Sequence, residues 1–487
     1  MYLKLKVKNI GLSTGGPLIA ILNKEDAINL DLFALDRVRL KKNNKILSAV
    51  IDIAEDHQII PGYIGLFQEV VKKLKTHNNE ILNVALQKRP ASIKIIKRKL
   101  KDEKLNSQDY NQIVKDIVAN RLSDTEITYF VSACYTRGMT LDESAYLTRA
   151  LVKNGSQLKL NKKPILDKHS IGGIAGNRTT PIVVSIIAAA GFTIPKTSSR
   201  AITSAAGTAD TMEVLASVSH PIKKIYSIVK KTNACLVWGG ALDLASADDK
   251  LIKIEHPLSL DPKGILLSSI MAKKKAVNAT HVIVDIPYGK EAKISKLVNA
   301  KDLQKKFTQL GKKLGMKVKA VITKGDQPIG KGIGPVLEAM DVLEVLQGSG
   351  PQDLRKKSLF LANELFKMVN HKPEASKILD SGLAYKKFLE IIKAQGGKKP
   401  KLTLASFKYN LKTTKAGKVS YIDNKEINHI ARIAGAPNNK KAGIYLHVRL
   451  NSKVKKSQSI LTIYAENKSK LNFAIEALRD SEVVKIK

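Results

Sequence analysis

The chain opens on strict alternation. In MYLKLKVKNIGL the apolar residues Leu3, Leu5 and Val7 alternate with Lys4, Lys6 and Lys8, a period of two that predicts an edge-exposed strand. To about residue 85 the pattern continues as short strands, with one helix expected over Gly62 to Lys75. Turns are expected at Gly15-Gly16-Pro17 and Lys42-Asn43-Asn44. Beyond Pro90 the period becomes helical and stays so to about residue 155. Two helix starts are marked by capping boxes, Ser123-Asp124-Thr125-Glu126 and Thr140-Leu141-Asp142-Glu143. In each, a hydroxyl satisfies one orphan N–H while the glutamate reaches back to another. Gly155 is expected to stop the second of these helices.

Between about 163 and 345 strands and helices alternate. Strands are predicted over Pro164–Asp167, Phe192–Pro195, Ala234–Trp238, His281–Ile286 and Lys319–Thr323. Helices are predicted over Thr180–Ala190, Asp210–Val218 and around 302–314. This alternation argues for an α/β layer on a largely parallel sheet. GGKKP at 396–400 reads as a linker. Past it, strand-like runs at Tyr445–Leu450 and Ser459–Tyr464 and an amphipathic helix near 470–478 make a small α+β domain.

Composition narrows the picture. The 487 residues are enough for about three or four domains, and 44% apolar residues suffice for sizeable cores. Cys134 and Cys235 form no CxxC pair and sit in apolar periodic segments. They read as buried thiols of a reducing compartment. No signal-peptide pattern opens the chain, and the apolar run Pro181–Phe192 is too short to span a bilayer. A soluble cytoplasmic protein with no membrane partner is expected. Net charge is +40, which raises nucleic-acid binding as an alternative. The excess is lysine scattered in ones, twos and threes, with 5% aromatic residues and no RNP1 pattern or basic tail. A lysine-biased surface fits better, and it would also speed the approach of phosphorylated substrates.

The candidate chemistry begins with LDKHSIGGIAGNRTTPIVV, Leu166 to Val184. A loop with glycines at 172, 173 and 176 follows a strand and precedes a helix, with Pro181 in its first turn. Free N–H groups at a helix start, the partial positive charge there and close-approaching glycine amides suit an anion. The spacing matches neither the dinucleotide nor the Walker fingerprint. The same residues would also make a tight turn whose glycines serve packing. A second stretch, KTSSRAITSAAGTADTMEV at 196–214, gathers Thr197, Ser198, Ser199, Thr203, Ser204 and Thr208 around Arg200. Asp210 reads as the N-cap of the next helix, with Glu213 completing a capping box. A third, LSLDPKGILLSSIMAKKK at 258–275, puts Asp261 before Pro262. That is also an N-cap followed by an N1 proline, and Ser269 and Lys273 share a face four residues apart.

Together KHSIGG, SSRAITSAAGTADTMEV, GMTLDESAYLTRALVKNG, SIMAKK and GDQPIGKGIGPVLEA resemble the thymidine/pyrimidine-nucleoside phosphorylase family. The resemblance runs from about residue 90 to the C-terminus and is stronger to the family's archaeal branch acting on AMP, whose extra N-terminal domain is also matched. It implies an α/β fold in four parts: a β-rich N-terminal domain over 1–88, for oligomerisation; a small helical domain over 89–162 with a second segment near 241–279; a large α/β phosphate-binding domain over the rest of 163–400; and a C-terminal α+β domain over 401–487. The helical domain would hinge on the α/β domain. The implied partners are inorganic phosphate, a nucleoside monophosphate and further copies of the chain, in at least a dimer. No cofactor or metal is implied.

Carried over position by position, Lys168, Ser170, Ser198 and Thr208 match phosphate-binding positions. Gly173, Ser199, Arg200, Ala201, Ile202, Thr203, Ser204, Thr208, Ser269 and Lys293 match nucleotide-contacting positions, and Asp261 matches the proton donor. The pyrimidine branch carries Gly-Arg-Gly where this chain has Ser199-Arg200-Ala201, and His where it has Ser204. It also has an Arg in a region that here reads KIEHPLSLD. Phosphorolysis of AMP, with CMP and UMP as further substrates, is the expected reaction. A pyrimidine-nucleoside phosphorylase, an anthranilate phosphoribosyltransferase-like enzyme and an RNA-binding protein on an enzyme scaffold remain as alternatives.

Overall fold

In the computed structural model, residues 2–55, 58–242, 246–258, 260–372, 374–398 and 402–487 are described. The chain divides into two compact units, Met1–Asn154 with Ser246–Leu266, and Gly155–Ala245 with Leu267–Lys487.

In the first unit, six strands (Leu3–Asn9, Ile19–Asn23, Arg37–Lys42, Lys45–Ala54, Tyr63–Leu66 and Ile81–Leu86) close into a barrel. The opening strand is therefore not an edge. It pairs in parallel with Tyr63–Leu66 and antiparallel with Ile81–Leu86. Its alternation records inside against outside, with Leu5 and Val7 buried in the lumen and the lysines turned out. The helix expected over Gly62–Lys75 is shorter. Tyr63–Leu66 is drawn into the barrel and the helix is Gln68–Leu74, because closure needs a partner for Ile19–Asn23. Four helices follow, Ser92–Leu100, Ser107–Val118, Asp124–Thr136 and Leu141–Lys153, and Ser246–Glu255 packs on the last three of them. Both capping boxes form: Ser123 Oγ accepts from Glu126 N at 3.1 Å, and Thr140 Oγ1 accepts from Glu143 N at 3.1 Å. The last of these helices is capped at Asn154, one residue before Gly155.

In the second unit, β1 (Leu166–Ser170) starts a parallel sheet with His281–Tyr288 and Lys317–Lys324. Helix α1 (Thr179–Ala189) follows, then β2 (Ile194–Ser198), helix α2 (Thr208–Glu213) and β3 (Ala234–Trp238), with β2 and β3 parallel. One parallel bridge, Ile165 to Thr193, joins the β1 and β2 segments. α1 is rich in β-branched residues, yet it is helical because helices Gln352–Met368 and Leu383–Ala394 bury it. Tertiary burial outweighs the few tenths of a kcal/mol per residue that propensity costs. Helix α3 is Lys263–Ala276.

Two strands lie later than the sequence pattern places them. β1 takes in Lys168, His169 and Ser170, because its register with His281–Tyr288 continues to Ser170 opposite Asp285. β2 likewise runs to Ser198, opposite Trp238. The run expected as a strand to Leu450 ends at Leu446. The C-terminal stretch adds strands Phe407–Lys412, Gly443–Leu446 and Ser459–Ala465 in one sheet with Gly332–Ile333, and helix α4 (Asn424–Ile433) packs beside it. Both cysteines are buried free thiols, and burial pushes Cys134 and Cys235 up, the latter to about 12.

No helix among the described residues is long and apolar enough to cross a membrane.

Candidate active site

The site is built at the carboxyl end of β1. Lys168 is fully buried, and its Nζ donates to Thr180 Oγ1 at 3.2 Å, in the first turn of α1. Burial pulls the Lys168 pKa down to about 7. Asp285 opposes that shift, while Lys357, Arg178 and Lys274 reinforce it. A lysine so poised has its charge in reserve for an arriving anion. Beneath it Asp167 holds Lys274 at 2.8 Å and Lys196 at 3.8 Å. Burial and the surrounding lysines push both Lys196 and His169 far below their ordinary values. Ser170 Oγ donates to Asp285 Oδ2 at 3.1 Å. Asp285 also accepts from Thr323 at 2.6 Å and pairs with Lys357 at 2.9 Å. Burial alone would raise its pKa, but Lys357 and Lys168 hold it below the usual range.

The glycine loop now spans 171–178. Gly173 is at φ +87°, and a Cβ there would lie 2.5 Å from the Lys293 backbone nitrogen. Two nucleotide-matched positions are thus brought together. Lys290, the neighbouring lysine, instead lies over the Tyr421 ring at 4.9 Å. The loop ends on Arg178, whose guanidinium is fully used. Nε pairs with Glu338 at 2.5 Å, one terminal nitrogen donates to Thr208 Oγ1 at 2.7 Å, and the other donates to the Ala206 carbonyl at 2.8 Å. It ties the glycine loop to the next one.

That second loop leaves β2 at Ser198 and runs to Gly207, which caps α2. Asp210 is not the N-cap. It sits at the third helical position, and its carboxylate accepts from Gly207 N at 2.9 Å and Ala201 N at 2.7 Å. Glu213 does not complete a capping box either. It pairs with Arg200 at 2.5 Å and Lys440 at 3.0 Å, and the Arg200 hydrogen bond holds it near 2. The reason is the tight closure of the loop: a Cβ on Gly207 would meet Ser199 O and Ala201 N at 2.6 Å. Arg200 is spent on Asp210, Glu213 and the Trp238 ring, 4.8 Å away. Ser199 accepts through its carbonyl from Ala209 N at 3.3 Å, and Ser204 Oγ donates to the Ala206 carbonyl at 3.0 Å. Ile202 and Thr203 are exposed.

Three buried oxygens around these loops have no hydrogen-bond partner among the described residues: Ser198 Oγ, Thr179 Oγ1 and Asn177 Oδ1. An orphaned buried hydroxyl costs about 1–3 kcal/mol. Two of them beside a buried lysine and a helix N-terminus are what an oxyanion would satisfy.

Ser269, on α3, is buried, and Lys293 is exposed. Asp261 belongs to the first unit and is exposed. α3 is helical from Lys263, and Leu266 N donates to the Pro262 carbonyl at 2.9 Å. Arg178, Thr179, Asp285 and Lys357 were not singled out from sequence. A lone acid inside the apolar strand HVIVDIPY and paired threonines before Pro181 were the available signals. Among the described residues no group of three His, Cys, Asp or Glu could hold a metal ion.

Residues 93–155 match the helical bundle domain of a glycosyl transferase family and 162–377 its a/b domain. Residues 418–485 match the pyrimidine nucleoside phosphorylase C-terminal domain. The AMP phosphorylase of Thermococcus sibiricus is 43% identical over 495 residues, covering 99% of this chain and 98% of that one. The chain belongs to the thymidine/pyrimidine-nucleoside phosphorylase family, in its AMP phosphorylase branch. Another member of that branch, from Pyrococcus furiosus, is 44% identical over 492 residues, covering 99% of this chain and 97% of its own. Among solved structures, anthranilate phosphoribosyltransferase from Thermus thermophilus superposes with a TM-score of 0.53 at 16% identity, over 62% of this chain and 99% of that one. That likeness is one of fold alone.

Proposed function

We propose that the protein catalyses phosphorolysis of nucleoside 5′-monophosphates. AMP and inorganic phosphate give adenine and ribose 1,5-bisphosphate, with CMP and UMP as further substrates. The full-length similarity to AMP phosphorylases supports the reaction. The observation that carries the site is the pair of orphaned hydroxyls, Ser198 at the end of β2 and Thr179 at the start of α1, the latter next in sequence to the Thr180 that buried Lys168 holds.

In the reaction a phosphate oxygen attacks C1′ as the C1′–N bond breaks through an oxocarbenium-like state. The bonding pair leaves with the base, which takes a proton. Lys168, Ser170, Ser198 and Thr208 hold the attacking phosphate, joined by Thr179, and its charge helps stabilise the cationic sugar. Such positioning supplies on the order of 7–11 kcal/mol in ideal cases. Ser199 to Ser204, Gly173, Ser269 and Lys293 receive the nucleotide. Ser199, which stands where the pyrimidine branch has a glycine, and Ser204, which stands where it has a histidine, give the 5′-phosphate donors. Asp261 gives the leaving base its proton, worth about 10²–10⁴ in rate. The N-terminal barrel, 1–88, carries none of these residues. Its assignment to assembly of a homo-oligomer rests on the family resemblance.

The deciding comparison is AMP against adenosine with saturating phosphate, following free adenine. AMP is expected to have the far larger kcat/KM. Equal values would contradict a site built for the 5′-phosphate, and preference for thymidine would restore the pyrimidine-nucleoside reading.

A further inference from the structure

We infer that helix α4 is a clamp that sets both substrate loops, with Asn424 positioning the glycine loop and Asn428 and Arg432 positioning the hydroxyl loop. This rests on the loop assignments made above. The three residues are spaced by four and so lie along one side of the helix. Asn424 Oδ1 accepts from the Ala175 N–H at 3.3 Å, and its amide donates to the Gly325 carbonyl at 3.4 Å. One turn on, Asn428 Oδ1 accepts from the Ala205 N–H at 3.0 Å, and its amide donates back to the Asn424 carbonyl at 2.9 Å. A further turn on, Arg432 donates to the Ile202 carbonyl at 2.9 Å and the Ser204 carbonyl at 3.2 Å.

The helix is itself fixed. Ile427, Ile430 and Ala431 are buried in the C-terminal core. Asp423 caps the start, accepting from Lys425 N at 2.8 Å and Glu426 N at 3.0 Å. Just before the cap, Tyr421 OH donates toward Asp423 at 2.9 Å and toward Glu291 at 2.8 Å, two residues from Lys293. Two loops that carry candidate site residues therefore rest on one rigid helix, and the strand that leads into it holds a third segment.

Every contact that Asn424, Asn428 and Arg432 make with the two loops goes to backbone. The loop side chains remain available to ligand, while the path of each loop is set from outside. The loops need this. One has left-handed glycines at 172, 173 and 176, and the other exposes Ile202 and Thr203. A site misplaced by about 1 Å loses on the order of a hundredfold in rate, so a loop of this kind works only when neighbouring residues hold it. Asn424, Asn428 and Arg432 are positioning residues, not catalytic ones.

The test uses the full-length chain and four variants: Asn424→Ala, Asn428→Ala, Arg432→Ala and, as a control on an exposed position of the same helix, His429→Ala. KM is measured separately for phosphate and for AMP, and amide exchange is followed in 171–178 and 199–207. Asn424→Ala should speed exchange in the glycine loop alone and, through Gly173, raise the KM for AMP about tenfold. Asn428→Ala and Arg432→Ala should raise the KM for AMP likewise, through Ser199 to Ser204, but speed exchange in the 199–207 loop instead. Arg432 is exposed, so its variant folds even where that of buried Asn424 does not, and Asn428→Asp, which keeps the acceptor for Ala205, should restore the exchange protection. Exchange that speeds equally in both loops for every variant, or in neither, would overturn the clamp, since general loosening has no reason to choose between the loops. If the wild type releases no adenine from AMP, the functional reading falls by itself, and the exchange arm still decides whether each residue holds its own loop.

Discussion

Lys168 offers the sharpest quantitative test. Its ammonium is buried and its pKa is drawn down to about 7 by that burial. An oxyanion beside it needs the charged form. Above pH 7 binding must therefore first put a proton on the lysine, and the apparent inhibition constant of an oxyanion grows as 1 + 10^(pH − pKa). Relative to the fully protonated enzyme, that is about twofold at pH 7, about elevenfold at pH 8 and about a hundredfold at pH 9. The rise from pH 7 to pH 9 is about fiftyfold, or about 2.3 kcal/mol. Phosphate itself titrates in this range, so the probe is sulfate, which does not, used as a competitive inhibitor against phosphate. Lys168→Gln should bind sulfate weakly and without the slope. Asp285→Asn removes the carboxylate that favours the charged lysine, and should move the break to lower pH. Folding stability runs the other way. Between about pH 7 and the ordinary lysine range the unfolded chain binds the proton that folded Lys168 has lost, so this residue makes the fold more stable as pH rises. A wild-type inhibition constant that stayed flat from about pH 6 to about pH 9, or a slope that survived in Lys168→Gln, would refute the reasoning.

Two further substitutions separate chemistry from architecture. Asp261→Asn should cut turnover of AMP by about 10²-fold or more with little change in melting temperature, because asparagine serves a helix start as well as aspartate but has no proton to give the base; unchanged turnover would refute its role as proton donor. Gly173→Ala should raise the KM for AMP by about tenfold or more, since the new Cβ would meet Lys293 N at 2.5 Å. Gly172→Ala shares the left-handed strain but meets nothing within 4 Å, so it should do less; equal effects would show that strain, not the Lys293 contact, matters.

Much of this protein was legible along the chain because the deciding interactions are short. The capping boxes at Ser123 and Thr140 join residues three apart, and both form. The alternation of strands and helices from 163 to 345 depends on runs of a few residues and recurs in the sheet and its flanking helices. The glycine loop announces itself by composition, and the family's motifs by their order. What tertiary structure alone decided depends on partners far away in sequence. The lysine alternation of the first strand looks the same at an edge as inside a barrel, and only closure onto Tyr63–Leu66 and Ile81–Leu86 distinguishes them. Lys168 and Ser170 become strand residues because a register more than a hundred positions away extends to Asp285. Asp210 and Glu213 have the spacing of a helix start, yet a loop folding back on Gly207 turns the first inward and Arg200 and Lys440 claim the second. The face of α4 that grips both loops is written in the chain as two asparagines and an arginine, four apart, and nothing within a few residues of them says what they hold. A local pattern determines which element forms, but which polar groups meet is decided by the packing that brings distant backbone within hydrogen-bonding reach.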